Sequence, residues 1–153
     1  MKFQNKVFQN DRGQVWVVGQ FFWGALLLLA GPLTTLGRFW PALVLVLFGG
    51  AFSLMAVLKL GNNLSVFPKP KDDAVFVDEG LYRWVRHPIY SGLLLAGLGW
   101  CVFWLSWPSG ILELVFIVWM DRKAASEEAW LRQRYENYAS YQKRVKKFIP
   151  GLY

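Results

Sequence analysis

Two short polar stretches hold the residue types most suited to chemistry. One carries the only histidine of the chain, in the run Arg86-His87-Pro88; the other, much later, sets the adjacent acids Glu127 and Glu128 in a segment otherwise dominated by cations. Pro88 drives His87 out of the α region and suits the first turn of a helix, so Arg86 and His87 are expected at a helix entrance. Backbone N–H groups and the helix dipole make such an entrance suited to an anionic group. An arginine fork takes a carboxylate, while acids and aromatic rings take ammonium or hydroxyl donors, so the two stretches together suit a zwitterionic or cationic small molecule. The alternative for Glu127-Glu128 is a pair of solvated acids balancing Arg122 and Lys123 on a helix, since surface ion pairs are common and weak.

The elements that must bring these stretches together are apolar. More than half of the 153 residues are hydrophobic, 18% are aromatic and nine are tryptophan. They gather into long runs rather than helical stripes, which makes lipid their natural solvent. The net charge of +7 then indicates anionic lipid as the partner rather than nucleic acid. The first run extends from Val15 to Leu29 and reaches spanning length when Leu33 and Leu36 are included; Gln20 within it is expected to make a helix-packing hydrogen bond. Arg38, Phe39 and Trp40 mark an interfacial turn, and Ala42 to Leu58 gives a second span closed by Lys59. Gly49, Gly50, Ala51 and Ser53 form a small-residue face, read as a helix-packing surface or, alternatively, a substrate portal.

Gly61 to Tyr82 is a polar surface loop, within which Val75-Phe76-Val77 is expected to be extended. A third span, from Ile89, ends at a tight turn over Trp107-Pro108-Ser109-Gly110, and Ile111 to Met120 returns as a fourth. That last run has about ten residues where a free-standing crossing needs about twenty, so a tightly packed hairpin is expected whose second arm continues past the bilayer. Glu113 is expected to reach the headgroup region, with a buried functional carboxylate as the alternative. From Asp121 to Lys147 the residues Trp130, Leu131, Arg134, Tyr135, Tyr138 and Tyr141 recur at helical spacing, predicting an amphipathic helix on the membrane surface, ended by Pro150.

Positive charges set the orientation. Lys2, Lys6 and Arg12 precede the first span, Lys59, Lys69, Lys71, Arg83 and Arg86 separate the second from the third, Arg122 and the later cations follow the fourth, and Arg38 alone falls on the other side. Both termini, the middle loop and the tail are therefore expected in the cytoplasm. Met1 to Asp11 lacks the pattern of a cleaved signal peptide. Cys101, the only cysteine, offers no intrachain disulfide and, with no histidine near it, no zinc site; no metal is expected.

The run Gly80-Leu81-Tyr82-Arg83-Trp84-Val85-Arg86-His87-Pro88-Ile89-Tyr90-Ser91-Gly92, the hairpin after it, Glu127-Glu128-Ala129-Trp130-Leu131 and Tyr138-Ala139-Ser140-Tyr141-Gln142-Lys143-Arg144-Val145 together resemble the isoprenylcysteine carboxyl methyltransferase and phospholipid methyltransferase family. The resemblance lies in the C-terminal half; the first half is similar only in being two spans. It implies a membrane enzyme that uses S-adenosylmethionine, with Tyr82, His87, Pro88, Ile89 and Tyr90 lining the cofactor pocket and Glu127, or its neighbour Glu128, as the acid that closes it. A family arginine shortly before the acids falls on Arg122 by residue type and on Lys123 by spacing, and would face the acceptor. Arg86, His87 and Glu128 are the candidates for catalytic work.

The resulting expectation is an all-α integral membrane protein of about four transmembrane helices with a C-terminal cytoplasmic amphipathic helix. It forms one domain, in which residues 1–60 supply two spans and 61–153 the cofactor loop, hairpin and basic tail. Its expected activity is S-adenosylmethionine-dependent methyl transfer to a lipophilic acceptor, isoprenylcysteine carboxylate-like or lipid-like, at the cytoplasmic face. A sterol-reductase-like NADPH enzyme and a non-catalytic subunit with a lipid-binding tail are the competing readings.

Overall fold

The computed structural model describes residues 13–153. Lys2, Lys6 and Arg12 and the polar stretch Met1 to Asp11 lie outside the described residues. Five α-helices follow in order: α1 (Gln14–Leu33), α2 (Leu43–Leu60), α3 (Pro88–Phe103), α4 (Trp107–Arg134) and α5 (Tyr138–Arg144). Among the described residues the only β-type pairing is an isolated parallel bridge between Val85 and Lys146. Val75-Phe76-Val77 forms no strand.

Local sequence explains most of the boundaries. Gly13 starts α1 from a left-handed conformation (φ 76°), and Thr34 ends it by returning both its N–H (3.0 Å) and its hydroxyl (2.7 Å) to the Ala30 carbonyl. Pro88 opens α3 as expected, with His87 outside the α region at φ −126°, ψ 62°. The turn between α3 and α4 differs from expectation. Trp104 to Ser106 make it, and Trp107-Pro108-Ser109-Gly110 is already the first turn of α4. Ser106 is the reason: its hydroxyl accepts from the Ser109 N–H at 3.2 Å as an N-cap, and Pro108 then fits the first turn, where no N–H is needed. Leu105 carries the reversal at φ 47°.

The helices α1 and α2 are long and apolar enough to cross a bilayer. With 16 residues, α3 is about 24 Å long, short of a hydrocarbon core of about 30 Å. The 28 residues of α4 reach about 42 Å. It is long enough to hold the apolar run Ile111 to Met120 in its first half and to carry the charged residues from Asp121 onward in its second.

In space the order is α2, α3, α4, α1, each packed along the next. The α2–α3 crossing is close: a Cβ on Gly49 would stand 2.5 Å from the Gly92 carbonyl oxygen and 2.6 Å from the Ala96 nitrogen, whereas one on Gly50 would meet nothing. Ser53 donates across it to the Ile89 carbonyl at 2.8 Å. Packing, rather than a portal, is thus what the small-residue face does on its Gly49–Ser53 side. At one end the α1–α2 loop is sewn to the α3–α4 turn by Thr34 and Ser106 hydroxyls (2.6 Å) and by Thr35 to the Trp104 carbonyl (2.8 Å). At the other end α1 and α2 stand apart, bridged by the loop from Gly61 to Glu79, and a cavity lies between them.

Two further expectations are corrected. Glu113 is not an exposed carboxylate at the outer turn: because α4 begins at Trp107, it lies almost two turns inside, 2% exposed and packed against Gly97, which is the buried alternative. The tail is not one amphipathic helix ended by Pro150. It breaks at the extended Tyr135, restarts as α5 and stops at Arg144. Tyr138 and Tyr141 face inward, packed around Phe76, because Tyr135 and Tyr141 find carbonyl partners at Ala74 and Tyr82.

Candidate functional site

The cavity between α1 and α2 has a volume of about 320 Å³, in the range of small-molecule pockets. Its polar wall is made where the entrance of α3 meets the second half of α4. His87 lies there at 5% exposure. Its Nε2 lies 3.1 Å from Glu128 Oε1 and its Nδ1 faces Glu127 Oε2 at 3.8 Å. The ring stacks on Tyr90, 3° from parallel with centroids 5.3 Å apart, and Tyr90 donates its hydroxyl to Glu127 Oε2 at 2.8 Å. The two acids, one residue apart, therefore do different things.

Glu128 is fully engaged: Arg86 Nε donates to Oε1 at 2.7 Å and Gln142 Nε2 to Oε2 at 2.7 Å, besides the histidine contact. Burial would raise its pKa, but the hydrogen bonds from His87 and Arg86 and their charges outweigh it and hold the carboxyl down at about 2. Arg86 also donates from Nη1 to the Gln142 and Val145 carbonyls. This arrangement ties α3, α4 and α5 together. The chain after α5 completes it: Arg86 and His87 donate their N–H groups to the Lys146 and Lys147 carbonyls at 2.8 and 3.1 Å, and Ser91 donates to the Phe148 carbonyl at 2.8 Å.

Glu127 is the available acid. It points into the cavity with its side chain 28% exposed, and among the described residues Tyr90 is its one hydrogen-bond donor. Of the residues expected at a site, Tyr82, Arg86, His87, Ile89, Tyr90, Lys123 and Glu127 line the cavity. Pro88 is buried behind it and Glu128 is buried at 4% exposure outside the lining. Arg122 is exposed on the other side of α4, so of the two cations only Lys123 faces the cavity. The solvated-acid alternative fails for Glu128 outright.

Residues outside the sequence-based set also line it. Gln20 reaches in from α1 and accepts a hydrogen bond from Lys123, Phe76 and Val77 come from the loop, and Tyr138 and Tyr141 from α5. The Tyr138 hydroxyl is buried with no hydrogen-bond partner among the described residues. Burial, and then the charges of Glu128 and Glu127, push its pKa well above the usual phenol range; burial and Glu127 do the same for Tyr82. Both phenols are thus donors at any ordinary pH. The inward period of the tyrosines at 135, 138 and 141 was the available signal, but it fits a lipid-facing stripe equally well.

Chemically, the cavity offers one open carboxylate, a buried ammonium, an unused phenol and aromatic faces, with apolar Phe21, Val57 and Leu60 toward the helices that face lipid. The chain resembles protein-S-isoprenylcysteine O-methyltransferases from Dictyostelium discoideum, 28% identical over 126 residues covering 79% of this chain and 53% of that protein, and from Xenopus laevis, 31% identical over 115 residues covering 72% and 40%. It spans about half the length of these curated relatives. The fold is similar to that of the eukaryotic intramembrane Ras methyltransferase, isoprenylcysteine carboxyl methyltransferase, with a TM-score of 0.66 at 19% identity, covering 99% of this chain and 55% of the other. Residues 37–138, which hold α2, the hairpin and both polar stretches, match the model of the phospholipid methyltransferase family, and the chain belongs to that family.

Proposed function

We propose that this chain is a membrane methyltransferase that holds S-adenosylmethionine in the cavity between the α3 entrance and the second half of α4 and methylates a lipophilic acceptor. The observation that carries this reading is the meeting of His87, Tyr90 and Glu127 in one cavity wall, from two stretches brought together only by the hairpin. The residues present suit the cofactor. Glu127 takes ammonium or hydroxyl donors, the unpartnered Tyr138 hydroxyl supplies a donor, and the rings of Tyr82 and Tyr90 suit a cationic sulfur. Tyr82, His87, Ile89, Tyr90 and Glu127 would hold it, with Pro88 fixing the backbone from which His87 projects. When bound, it supplies an electrophilic methyl group on a positively charged sulfur.

The protein's part is placement and exclusion of water. Arg86 and Glu128 act as positioning residues: their mutual hydrogen bonds fix the imidazole of His87 through its Nε2, leaving Nδ1 toward Glu127. A carboxylate acceptor gives up no proton and needs no base. For an amine or thiol acceptor, His87 is the group in the wall positioned to take the proton. The acceptor's apolar tail enters sideways from the bilayer through the gap between α1 and α2, past Phe21 and Leu60. The cavity end of the bundle faces the cytoplasm, on the side rich in lysine and arginine.

Binding tests this directly. Titration calorimetry on the detergent-solubilised protein is expected to show saturable S-adenosylmethionine binding, weakened about tenfold or more by Glu127→Gln and by His87→Ala, since each removes a polar partner in a partly buried site. Binding of NADPH in its place would replace the reading with a reductase, and no binding of either would leave a non-catalytic subunit.

A further inference from the structure

Lys123 is a charged group in an unusual setting. It is 2% exposed, its ammonium donates to Gln20 Oε1 and lies 5.0 Å above the Tyr90 ring, and among the described residues no carboxylate forms an ion pair with it. Buried cations are costly unless a counter-charge offsets the lost hydration. Glu127, one turn along α4, is the nearest candidate, but its Oε2 accepts from Tyr90 instead. Its hydrogen bond and its ring contact are to neutral groups, with Glu127 acting on it only through space, and it lines the cavity together with Phe21, Val57 and Leu60.

Gln20 belongs to α1, outside residues 37–138 that match the family. A glutamine carbonyl fixes the direction of a lysine without cancelling its charge, and its amide NH₂ keeps two donors for whatever the lysine binds. We propose, resting on the methyltransferase reading above, that Gln20 positions the Lys123 ammonium as the counter-charge for an anionic acceptor headgroup. The pair anchors a carboxylate at the head of the gap while the acceptor's apolar tail lies between Phe21 of α1 and Val57 and Leu60 of α2. Gln20 acts through Lys123, to which its carbonyl is bonded, and is a positioning residue.

The experiment compares wild type, Gln20→Leu and the near-isosteric Gln20→Glu in detergent. Cofactor affinity is read by calorimetry, unfolding temperature by scanning fluorimetry, and KM and kcat with an S-prenylated cysteine; the corresponding carboxamide is the neutral competitor. Both variants are expected to bind S-adenosylmethionine within about twofold of wild type, because the Tyr90–Glu127 hydrogen bond and the His87–Tyr90 stack do not involve Gln20. Gln20→Leu is expected to raise KM for the carboxylate about tenfold or more, and Gln20→Glu to raise it further, since its carboxylate pairs with the ammonium and repels the headgroup. In wild type the carboxamide is expected to compete poorly. A Gln20→Glu enzyme with wild-type KM, a Gln20→Leu enzyme that loses only unfolding temperature, or a wild type that binds carboxamide as well as carboxylate would each overturn the inference while leaving the cofactor reading intact. Wild-type protein that binds no S-adenosylmethionine overturns that reading and this inference with it.

Discussion

At the scale of single residues, the neighbouring acids show how adjacency in sequence hides a division of labour. Glu128 is held at about 2 against an ordinary 4.5, so its contribution to stability is complete above about pH 4.5 and is lost as the pH falls toward 2. Wild-type unfolding temperature in detergent is expected to drop as the buffer is taken below about pH 4.5, while Glu128→Gln starts lower at neutral pH and lacks this part of the acid-dependent drop. An identical pH response in the two proteins would show that Glu128 is not what titrates. Tyr138 gives the opposite expectation: its buried hydroxyl has no partner among the described residues, so Tyr138→Phe should leave the unliganded protein as stable or up to about 1 kcal/mol more so, and yet weaken cofactor binding several-fold in the same calorimetric titration. The sequence revealed the chemical types at 82, 86, 87, 90, 127 and 128, but not which acid is spent on structure. That depends on Gln142 and on the carbonyl of Val145, which pair with Arg86 and Glu128 only after the tail has folded back.

At the scale of elements, apolar run length located α1, α2 and the hairpin, and Pro88 located the start of α3. The hairpin turn was misplaced because Trp107-Pro108-Ser109-Gly110 satisfies turn and helix-start preferences equally, and the Ser106 cap decides between them. The tail was misread because inward-facing and lipid-facing aromatic stripes have the same period, and only the loop carbonyls of Ala74 and Tyr82 select the inward one. Close packing of α2 on α3 gives a paired prediction. Gly49→Val should cost about 1–3 kcal/mol through overpacking against backbone atoms of Gly92 and Ala96, whereas Gly50→Val, facing open space one residue on, should leave the unfolding temperature in detergent nearly unchanged. Equal effects at the two positions would mean that α2 is rotated relative to α3 from the packing described.

At the scale of the whole molecule, the four long helices make a bundle closed at one end by hydroxyl and tryptophan contacts and open at the other around the cavity. The orientation proposed from the charge distribution has its own test: a reporter fused after Tyr153 is expected to be active only in a form that reports the cytoplasm, and one inserted beside Arg38 only in a form that reports the opposite compartment. The reverse pattern would place the cavity on the outer face. One feature of the backbone also bears on biogenesis. Ser91 and its partner Phe148 stand 57 positions apart, and the His87 amide waits for a carbonyl in that same late segment. At ordinary ribosomal speeds several seconds separate their emergence. For that interval the Ser91 hydroxyl and the His87 amide lack these carbonyls, so nascent chains stalled before Phe148 are expected to be captured by quality-control proteases more readily than chains released after it.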